Sequence, residues 1–226
     1  MLNREEIIKD VEKNKIIVIM RGFTQEQLIN TVEAMWKGGI RLVEVTYDQS
    51  GRVSDETTAS NIQALSKRFA GRVRVGAGTV LTERQVELAY KAGAEFIISP
   101  DCYEKVIRKT RELGMVSMPG AFTPTEVANA YRYGADFVKL FPNSEVKISY
   151  LKALTAPLSH IKFLSVGGMN AENMLEYFAA GAKGIGVGTG ILDEGVVARG
   201  DYKEITRRAQ LFTEKIDCLV KCEKGN

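Results

Sequence analysis

The chain has little of the chemistry that most metal sites and catalytic triads require. Its 226 residues include a single histidine, His160, and three cysteines, none of them in a Cys-x-x-Cys spacing. One histidine excludes zinc sites built on two or three histidines, and three cysteines do not suit a disulfide scaffold. No serine lies in a nucleophile-elbow motif, which argues against a Ser-His-Asp hydrolase. The histidine and cysteine counts thus remove several common classes of enzyme.

Long apolar runs and dense blocks of one charge are also missing. No apolar stretch approaches the ~20 residues that a membrane-spanning helix needs, and residues 1–6 are charged and lack the apolar core of a signal peptide. The net charge is only +3, and no aromatic residues interleave a basic block. We therefore expect a cytoplasmic protein that binds neither a membrane nor nucleic acid.

A weak repeat organises the rest of the chain. Four times, a glycine that suits the end of a helix is followed by a short loop and then by an apolar strand, at Gly38, Gly93, Gly134 and Gly181. Four more strands are predicted between these, at 16–20, 73–79, 115–119 and 161–166. Amphipathic helices are predicted in the gaps at 25–36, 83–91, 103–113 and 125–133, with Thr82 and Thr123 as N-caps.

Eight strands in 226 residues leave about 28 residues for each strand, helix and pair of loops. This alternation predicts a (β/α)8 TIM barrel, an α/β fold, as one domain spanning 1–226 with a closing C-terminal helix at about 202–221. An open doubly wound sheet is the alternative, but no Gly-x-Gly-x-x-Gly follows the first strand. The polar segments 49–59 and 193–201 follow strand ends and are predicted as loops, the first of them long enough for a lid.

One charged residue lies where a buried strand should be apolar. Lys139 sits in the run Phe137-Val138-Lys139-Leu140-Phe141-Pro142, which is short enough for a strand and too short for a helix. Because side chains alternate along a strand, Val138 and Leu140 would face the outer helices and Lys139 the barrel interior. A desolvated lysine loses its proton more easily and can then attack a ketone.

The same alternation places a carboxylate inside the barrel. In the second strand Val43 and Val45 would face the helices, and Glu44 would face inward. Glu44 and Lys139 could form a buried ion pair that only fills space, but a barrel built for stability alone would use Val, Ile and Leu there. We favour a catalytic pair, with Arg21 at the end of the first strand as a second cation that helps to deprotonate the lysine.

Two glycine clusters close the seventh and eighth strands, at 165–170 and 186–190. Phosphate sites of barrels are often found there, because glycine lets backbone N–H groups approach an anion. Tight turns also require glycine, so either explanation fits the clusters taken alone. Their position at two adjacent strand ends favours phosphate binding.

Taken together, these motifs resemble the class I aldolases that cleave 2-keto-3-deoxy-6-phosphogluconate, and the closely similar 6-phosphogalactonate enzymes. The resemblance runs from about residue 16 to about residue 192. Its motifs are Ile19-Met20-Arg21-Gly22, Val43-Glu44-Val45, Gly76-Ala77-Gly78-Thr79-Val80-Leu81, Ile98-Ser99-Pro100, Pro119-Gly120, Lys139-Leu140-Phe141-Pro142 and Val166-Gly167-Gly168.

The resemblance implies a role for each of these positions. Lys139 would be the Schiff-base lysine, Glu44 the general acid and base, and Arg21 a ligand of the keto-acid carboxylate. The keto-acid pocket would be shaped by Thr79, Pro100 and Phe141, and the phosphate would be held by Gly167, Gly168, Gly188 and Thr189. The iminium is itself the electron sink, so the reaction needs neither a metal nor an organic cofactor. A homotrimer and a place in the Entner–Doudoroff route are also implied.

The implied reaction releases pyruvate and glyceraldehyde 3-phosphate from the phosphorylated keto acid. The 6-phosphogalactonate epimer and 2-keto-4-hydroxyglutarate are alternative substrates for the same chemistry. Another phosphate-binding barrel enzyme and a non-catalytic phosphosugar-binding protein are less favoured, since neither requires an inward lysine with a carboxylate.

One position departs from the family pattern. Many phosphogluconate aldolases have an arginine four residues after the catalytic glutamate, where this chain has Asp48. The phosphogalactonate enzymes also lack that arginine. Carboxylate binding would then depend on Arg21, on backbone groups or on Arg52 from the following loop, and the preference at C4 of the substrate stays open.

Overall fold

Nine parallel strands form the centre of the molecule. The computed structural model describes residues 3–224, apart from the side chains of residues 194 and 222–224. Within these residues the strands are β1 (Ile16–Met20), β2 (Leu42–Thr46), β3 (Arg74–Gly78), β4 (Phe96–Ile98), β5 (Val116–Met118), β6 (Gly120–Ala121), β7 (Val138–Leu140), β8 (Phe163–Val166) and β9 (Ala182–Val187). Their order in the sheet is β5-β4-β3-β2-β1-β9-β8-β7-β6.

The strands at the two ends of the sheet, β5 and β6, are adjacent in the chain. β5 pairs with β4, and β6 pairs with β7. Only Pro119 separates β5 from β6, and proline has no N–H to donate to a ladder. The two short strands therefore act as one barrel strand, and the predicted eight-stranded α/β barrel is confirmed.

In the described part of the chain, ten α-helices surround the sheet or close its ends. They are α1 (Arg4–Asn14), α2 (Gln25–Lys37), α3 (Asp55–Arg68), α4 (Glu83–Lys91), α5 (Glu104–Glu112), α6 (Pro124–Tyr133), α7 (Ile148–Thr155), α8 (Met174–Ala179), α9 (Glu194–Ala198) and α10 (Tyr202–Lys224). A 3₁₀ helix, Asn143–Glu145, follows β7. In the described part of the chain, no helix combines the length and the apolar character that crossing a bilayer requires.

The helices begin and end where local chemistry requires. Thr82 and Thr123 each accept a hydrogen bond from a backbone N–H in the first turn of the following helix, and Pro124 occupies the first helical position of α6. Gly134 ends α6 in the left-handed conformation, with φ of 106°. The predicted caps and this predicted stop are confirmed.

Two hydrophobic clusters lie on opposite faces of the sheet. Val43, Val45, Val138 and Leu140 belong to the larger cluster, between strands and helices. The smaller cluster fills the barrel interior and includes Phe137, with Phe141 packed against it. The predicted alternation is thus confirmed: Lys139 points inward between these two phenylalanines, while its sequence neighbours face the helices.

The barrel end opposite the candidate site is closed by α1, a helix that the sequence interpretation missed. Ile7 and Val11 of α1 are fully buried and join the interior cluster. Arg74, at the start of β3, links α1 to the barrel: its guanidinium lies 2.7 Å from Glu6, 2.8 Å from Asp10 and 2.5 Å from Glu95. Burial raises the pKa of Glu95, against the opposing effect of Arg74.

Two predicted loops are wrong in part. The segment 49–59 contains the start of α3, because Ser54 caps that helix and Asp55 and Glu56 suit its first turn. The segment 193–201 contains α9, capped by Asp193. Polar residues fit an exposed helix start as well as a loop, so polarity alone gave the wrong boundary. The C-terminal helix extends to Lys224, beyond the predicted 221, and the single-domain extent of 1–226 stays a prediction, since 1–2 and 225–226 lie outside the described residues.

Substitution of Arg74 tests how α1 is held. We expect Arg74→Ala to lower the free energy of unfolding by about 1–3 kcal/mol, because it leaves three carboxylates, one of them half-buried, without their cation. The matched control is Arg207→Ala, whose exposed guanidinium pairs with Glu204 on α10, a carboxylate that keeps Arg208 as a second partner. That change should lower stability by less than ~0.5 kcal/mol. Equal effects in urea denaturation would contradict the account.

Candidate active site

The sequence-predicted site residues gather at one end of the barrel. Eight of the ten lie one or two residues beyond the last residue of a strand, and the carboxyl ends of parallel strands meet at one face. They are Arg21 after β1, Thr79 after β3, Phe141 after β7, Gly167 and Gly168 after β8, and Gly188 and Thr189 after β9; Pro100 lies two residues beyond β4. Glu44 and Lys139 lie within β2 and β7, inside the barrel.

Lys139 is a buried amine. Its side chain is enclosed by the barrel, with 7% of the residue exposed. Burial lowers the pKa of Lys139; the charge of Glu44 opposes this shift, and the charge of Arg21 adds to it. Nζ lies 4.4 Å from the centre of the Phe141 ring, whose face weakly favours the ammonium form. Desolvation outweighs these favourable contacts, so the site holds an amine that gives up its proton more readily than a free lysine.

Glu44 is a buried carboxyl group on the facing part of the barrel. It is 3% exposed, and no donor among the described residues hydrogen-bonds its side chain. Burial raises the pKa of Glu44, while the charges of Lys139 and Arg21 lower it to a smaller extent. The neighbouring Gly78 makes room for it, because a Cβ on Gly78 would lie 2.1 Å from Glu44 Oε1. The sequence interpretation missed this role of Gly78.

Glu44 and Lys139 do not form the direct ion pair that was the alternative interpretation. Across residues 3–224, no carboxylate oxygen lies within 4.0 Å of Lys139 Nζ, although each group shifts the pKa of the other. Burial drives both groups toward their neutral forms. The arrangement can therefore supply a nucleophilic amine and, across the barrel interior, a carboxyl group able to give and take a proton.

Arg21 and Thr79 form the rim above Glu44. Arg21 Nη2 donates to Thr79 Oγ1 at 3.0 Å, and Gln49 Nε2 donates to the Thr79 carbonyl at 3.0 Å. Thr79 has φ of +56°, a left-handed backbone that a β-branched residue rarely adopts. Such strain costs about 1–3 kcal/mol and is commonly found at functional sites. The two hydrogen bonds hold the strained residue at the mouth of the barrel.

Different structural features explain the glycines after β8 and the glycine after β9. Gly167 and Gly168 have φ of +109° and +71°, so their turn explains them without any ligand. Gly188 has no such requirement, and a Cβ there would meet no atom within 4 Å. The missing side chain at Gly188 instead keeps a cleft open. This cleft of about 550 Å³ is lined by Gly188, Thr189, Arg21 and Arg52, among others.

Pro100 and Phe141 define two walls near Lys139. A Cβ on Gly120 would lie 2.2 Å from the Pro100 carbonyl oxygen, so β6 and the end of β4 approach closely. Phe141 is half-buried against the interior cluster. Lys139 and Glu44 do not line this cleft, and both are buried within the barrel.

Asn143 is a buried polar residue that the sequence interpretation missed. It is 1% exposed, and neither its amide nitrogen nor its amide oxygen has a partner among the described residues. Its backbone nitrogen lies 3.2 Å from where a Cβ on Gly167 would be. An asparagine after proline reads as an ordinary turn, so only its burial distinguishes it.

The structure shows no cluster of three or more His, Cys, Asp or Glu side chains that could hold a metal ion, within the residues it describes. His160 packs edge-on against Tyr131, with ring centres 4.8 Å apart, just before β8 at the end opposite the candidate site. Cys102 Sγ donates to the Glu126 carbonyl at 3.4 Å. Burial raises the pKa of Cys102 to about 11, so its thiol is not a ready nucleophile.

Comparison with known proteins gives a consistent family. Residues 7–208 match the family model described as "KDPG and KHG aldolase". A 2-dehydro-3-deoxy-6-phosphogalactonate aldolase of Escherichia coli (strain K12) is 33% identical over 184 residues, covering 81% of this chain and 87% of that protein. A 2-dehydro-3-deoxy-phosphogluconate aldolase of Pseudomonas aeruginosa is 31% identical over 205 residues, covering 89% of each chain.

Solved structures agree in fold. A KDPG aldolase from Legionella pneumophila superposes with a TM-score of 0.81 at 26% identity, covering 90% of this chain and 96% of that one. In that structure pyruvate is captured at low pH as a covalent carbinolamine intermediate.

The free-energy cost of burying Glu44 and Lys139 can be measured from the stability of a variant that lacks both groups. We expect Glu44→Leu/Lys139→Met to raise the free energy of unfolding at pH 7 by about 1–4 kcal/mol, because apolar residues replace two desolvated ionisable groups. The control pair is Glu12→Leu/Lys162→Met, which removes a half-exposed ion pair and should bring no such gain.

The stability advantage of Glu44→Leu/Lys139→Met over the wild type should depend on pH in a defined direction. Glu44 has a folded-state pKa above 4.5, so the wild type loses stability as pH rises from 4.5 to that pKa. Lys139 has a folded-state pKa below 10.5, so the wild type regains stability as pH rises from that pKa to 10.5. The advantage of the double variant in urea denaturation should therefore peak near neutral pH. A double variant less stable than the wild type at pH 7 would contradict this assignment of the burial cost.

Proposed function

Since the chain belongs to the family of KDPG and KHG aldolases and is therefore an aldehyde lyase, we propose that it is a Schiff-base aldolase that cleaves 2-keto-3-deoxy-6-phosphogluconate into pyruvate and glyceraldehyde 3-phosphate. The observation that carries the proposal is the amine of Lys139, buried in the barrel interior with a lowered pKa. Glu44 shares that interior, and burial raises its pKa, which suits a group that must give and take a proton in the same reaction.

The first step forms a covalent bond to the substrate. The neutral amine of Lys139 attacks the C2 ketone and gives a carbinolamine, the kind of species captured with pyruvate in the Legionella aldolase. Protonated Glu44 gives its proton to the carbinolamine hydroxyl, which leaves as water. An iminium ion and a Glu44 carboxylate result, and their opposite charges stabilise each other in the dry interior.

The second step breaks the carbon chain. The Glu44 carboxylate takes the proton of the C4 hydroxyl, directly or through water, and the C3–C4 bond breaks as its electrons move into the iminium. Glyceraldehyde 3-phosphate leaves, and an enamine of pyruvate stays on Lys139. Glu44 then returns the proton to C3, and hydrolysis of the imine releases pyruvate and restores the amine. The iminium is the electron sink throughout.

The remaining predicted residues bind the substrate in this proposal. Arg21, hydrogen-bonded to Thr79 at the rim, attracts the carboxylate next to the reacting ketone. Thr79, Pro100 and Phe141 form the walls around the keto acid, and the phosphate lies against Gly167, Gly168, Gly188 and Thr189. The homotrimer and the place in the Entner–Doudoroff route belong to the proposal on the resemblance of the motifs alone.

The C4 epimer, 2-keto-3-deoxy-6-phosphogalactonate, is the second candidate substrate. The residue four positions after Glu44 is Asp48, whose carboxylate is occupied by the N–H groups of Ser50 and Val53. It is therefore not available to read the orientation of the C4 hydroxyl. The relative from Escherichia coli described above is named for the galactonate compound and the one from Pseudomonas aeruginosa for the gluconate compound, so both epimers are candidates for this chain.

Trapping with borohydride tests the proposed chemistry. Incubation with pyruvate and borohydride should reduce the imine and leave an adduct on Lys139, located by peptide mass analysis. Lys139→Arg should lose both the adduct and turnover while keeping the fold. The control Lys162→Arg, at the opposite end of the barrel beside Glu12, should keep both. An adduct on another lysine, or turnover by Lys139→Arg, would reject the assignment.

Steady-state rates on three keto acids test the substrate. We expect kcat/KM for the two phosphorylated C4 epimers to lie within ~10-fold of each other, because no side chain at position 48 discriminates them. Unphosphorylated 2-keto-4-hydroxyglutarate should be at least ~10-fold poorer, since it lacks the phosphate contacts. A preference above ~100-fold for one epimer would show that another group reads C4, and no turnover of any of the three would end the proposal.

A further inference from the structure

The loop between β2 and α3, residues 47–54, is folded around one carboxylate. Asp48 accepts hydrogen bonds from the Ser50 N–H at 3.0 Å, from the Ser50 hydroxyl at 2.7 Å and from the Val53 N–H at 3.0 Å. The Ser50 hydroxyl and N–H, followed by the Val53 N–H, lower the pKa of Asp48 to about 2. Asp48 is thus an ionised group whose acceptor oxygens are occupied by its own loop.

This loop presents Arg52 toward the barrel mouth. Arg52 Nε donates to Ser50 Oγ at 2.9 Å, the same hydroxyl that binds Asp48. This hydrogen bond uses one of the five N–H donors of the guanidinium, so four are left for a ligand. Among the residues that the structure describes, no carboxylate lies within 4.0 Å of the Arg52 or Arg21 guanidinium. By contrast, Arg84 on α4 pairs with both Asp55 and Glu56.

Arg52 and Arg21 line the same cleft of about 550 Å³, together with Gly188 and Thr189. Two guanidinium groups that line one cleft give it a positive potential, which favours an anionic ligand. Phosphate monoesters carry up to two negative charges, and arginine binds them with paired N–H donors. The cleft therefore suits a phosphate better than a neutral ligand.

The covalent chemistry decides which end of the substrate reaches this cleft. The carboxylate of the keto acid is bonded to C2, the atom that Lys139 attacks, so it must stay close to Lys139, where the proposed function pairs it with Arg21. Lys139 does not line the cleft, and Arg52 is exposed at its edge. The phosphate on C6 lies four carbons farther along the chain and can extend outward to Arg52. Arg52 is thus placed for the phosphate and not for the carboxylate.

We propose that Arg52 binds the substrate phosphate and that Asp48, acting through Ser50, is the positioning residue that holds it there. This inference depends on the proposed function for the identity of the ligand, a phosphorylated keto acid. It explains the acidic residue at position 48, because Asp48 orders the loop and leaves binding to the arginine that follows.

The first test compares substrates with and without phosphate. Arg52→Ala should lower kcat/KM for 2-keto-3-deoxy-6-phosphogluconate by ~10- to 100-fold, mainly through KM, because a charge-assisted contact is lost. The rate on 2-keto-4-hydroxyglutarate should change by less than ~2-fold. The matched control is Arg132→Ala, an exposed arginine that also bonds only a neutral side chain, Asn129, near the far end of α6. It should change neither rate.

The second test separates positioning from binding. Asp48→Ala should raise KM for the phosphorylated substrate by ~3- to 10-fold with little change in kcat, because Arg52 keeps its charge but loses its support. Asp48→Asn keeps one acceptor oxygen for Ser50 and should restore part of that loss. A fall in kcat without a change in KM, or no effect on either, would overturn the positioning role.

A third measurement makes failure of this inference distinguishable from failure of the proposed function. Calorimetric titration with inorganic phosphate needs no turnover, and Arg52→Ala should weaken binding at least ~10-fold relative to the wild type and to Arg132→Ala. Phosphate binding that depends on Arg52, in a protein that forms no pyruvate adduct, would refute the aldolase proposal and support the anion site. Normal trapping with equal losses on both substrates, or unchanged phosphate binding, would overturn the role of Arg52.

Discussion

The desolvation of one lysine is the constraint on which the site depends. In water, solvation would stabilise the ammonium form of Lys139, and burial in the barrel interior removes most of that solvation. Two nearby charges act in opposite directions on its pKa, since Glu44 favours the ammonium and Arg21 disfavours it. Burial has the largest effect on the pKa of Lys139, and it also raises the pKa of Glu44. The fold thus places two ionisable groups in a barrel interior that disfavours the charged form of each.

Several neighbouring residues make room for Glu44 and Lys139 or carry backbone strain beside them. Position 78 is a glycine, and a side chain there would clash with the Glu44 carboxylate. Thr79 has a strained backbone, and Arg21 and Gln49 both donate hydrogen bonds to it. At the opposite end, α1 covers the interior and Arg74 ties it to the barrel. One end of the barrel is therefore sealed for stability, and the other carries the strain and the unpaired charges that binding and catalysis use.

The fold and the inward-facing residues could be predicted because they follow from local patterns. Alternation along a strand assigns Glu44 and Lys139 to the interior, and helix stops such as Gly134 mark the strand-helix units. The separation of Glu44 and Lys139 could not be predicted, since it is set by packing across the barrel. Polarity could not distinguish the start of α3 at Asp55 from a loop. The link from Asp48 through Ser50 to Arg52 requires side-chain directions that no periodicity encodes.

The titration of the Lys139 amine tests the central claim most directly. With ¹³C at the lysine Cε positions, the signal of Lys139 can be assigned by its loss in Lys139→Arg and followed against pH by NMR. The account predicts a pKa below the ordinary value of 10.5, and a further decrease in Glu44→Gln, because the carboxylate no longer favours the ammonium form. A pKa at or above 10.5 in the wild type would contradict the account.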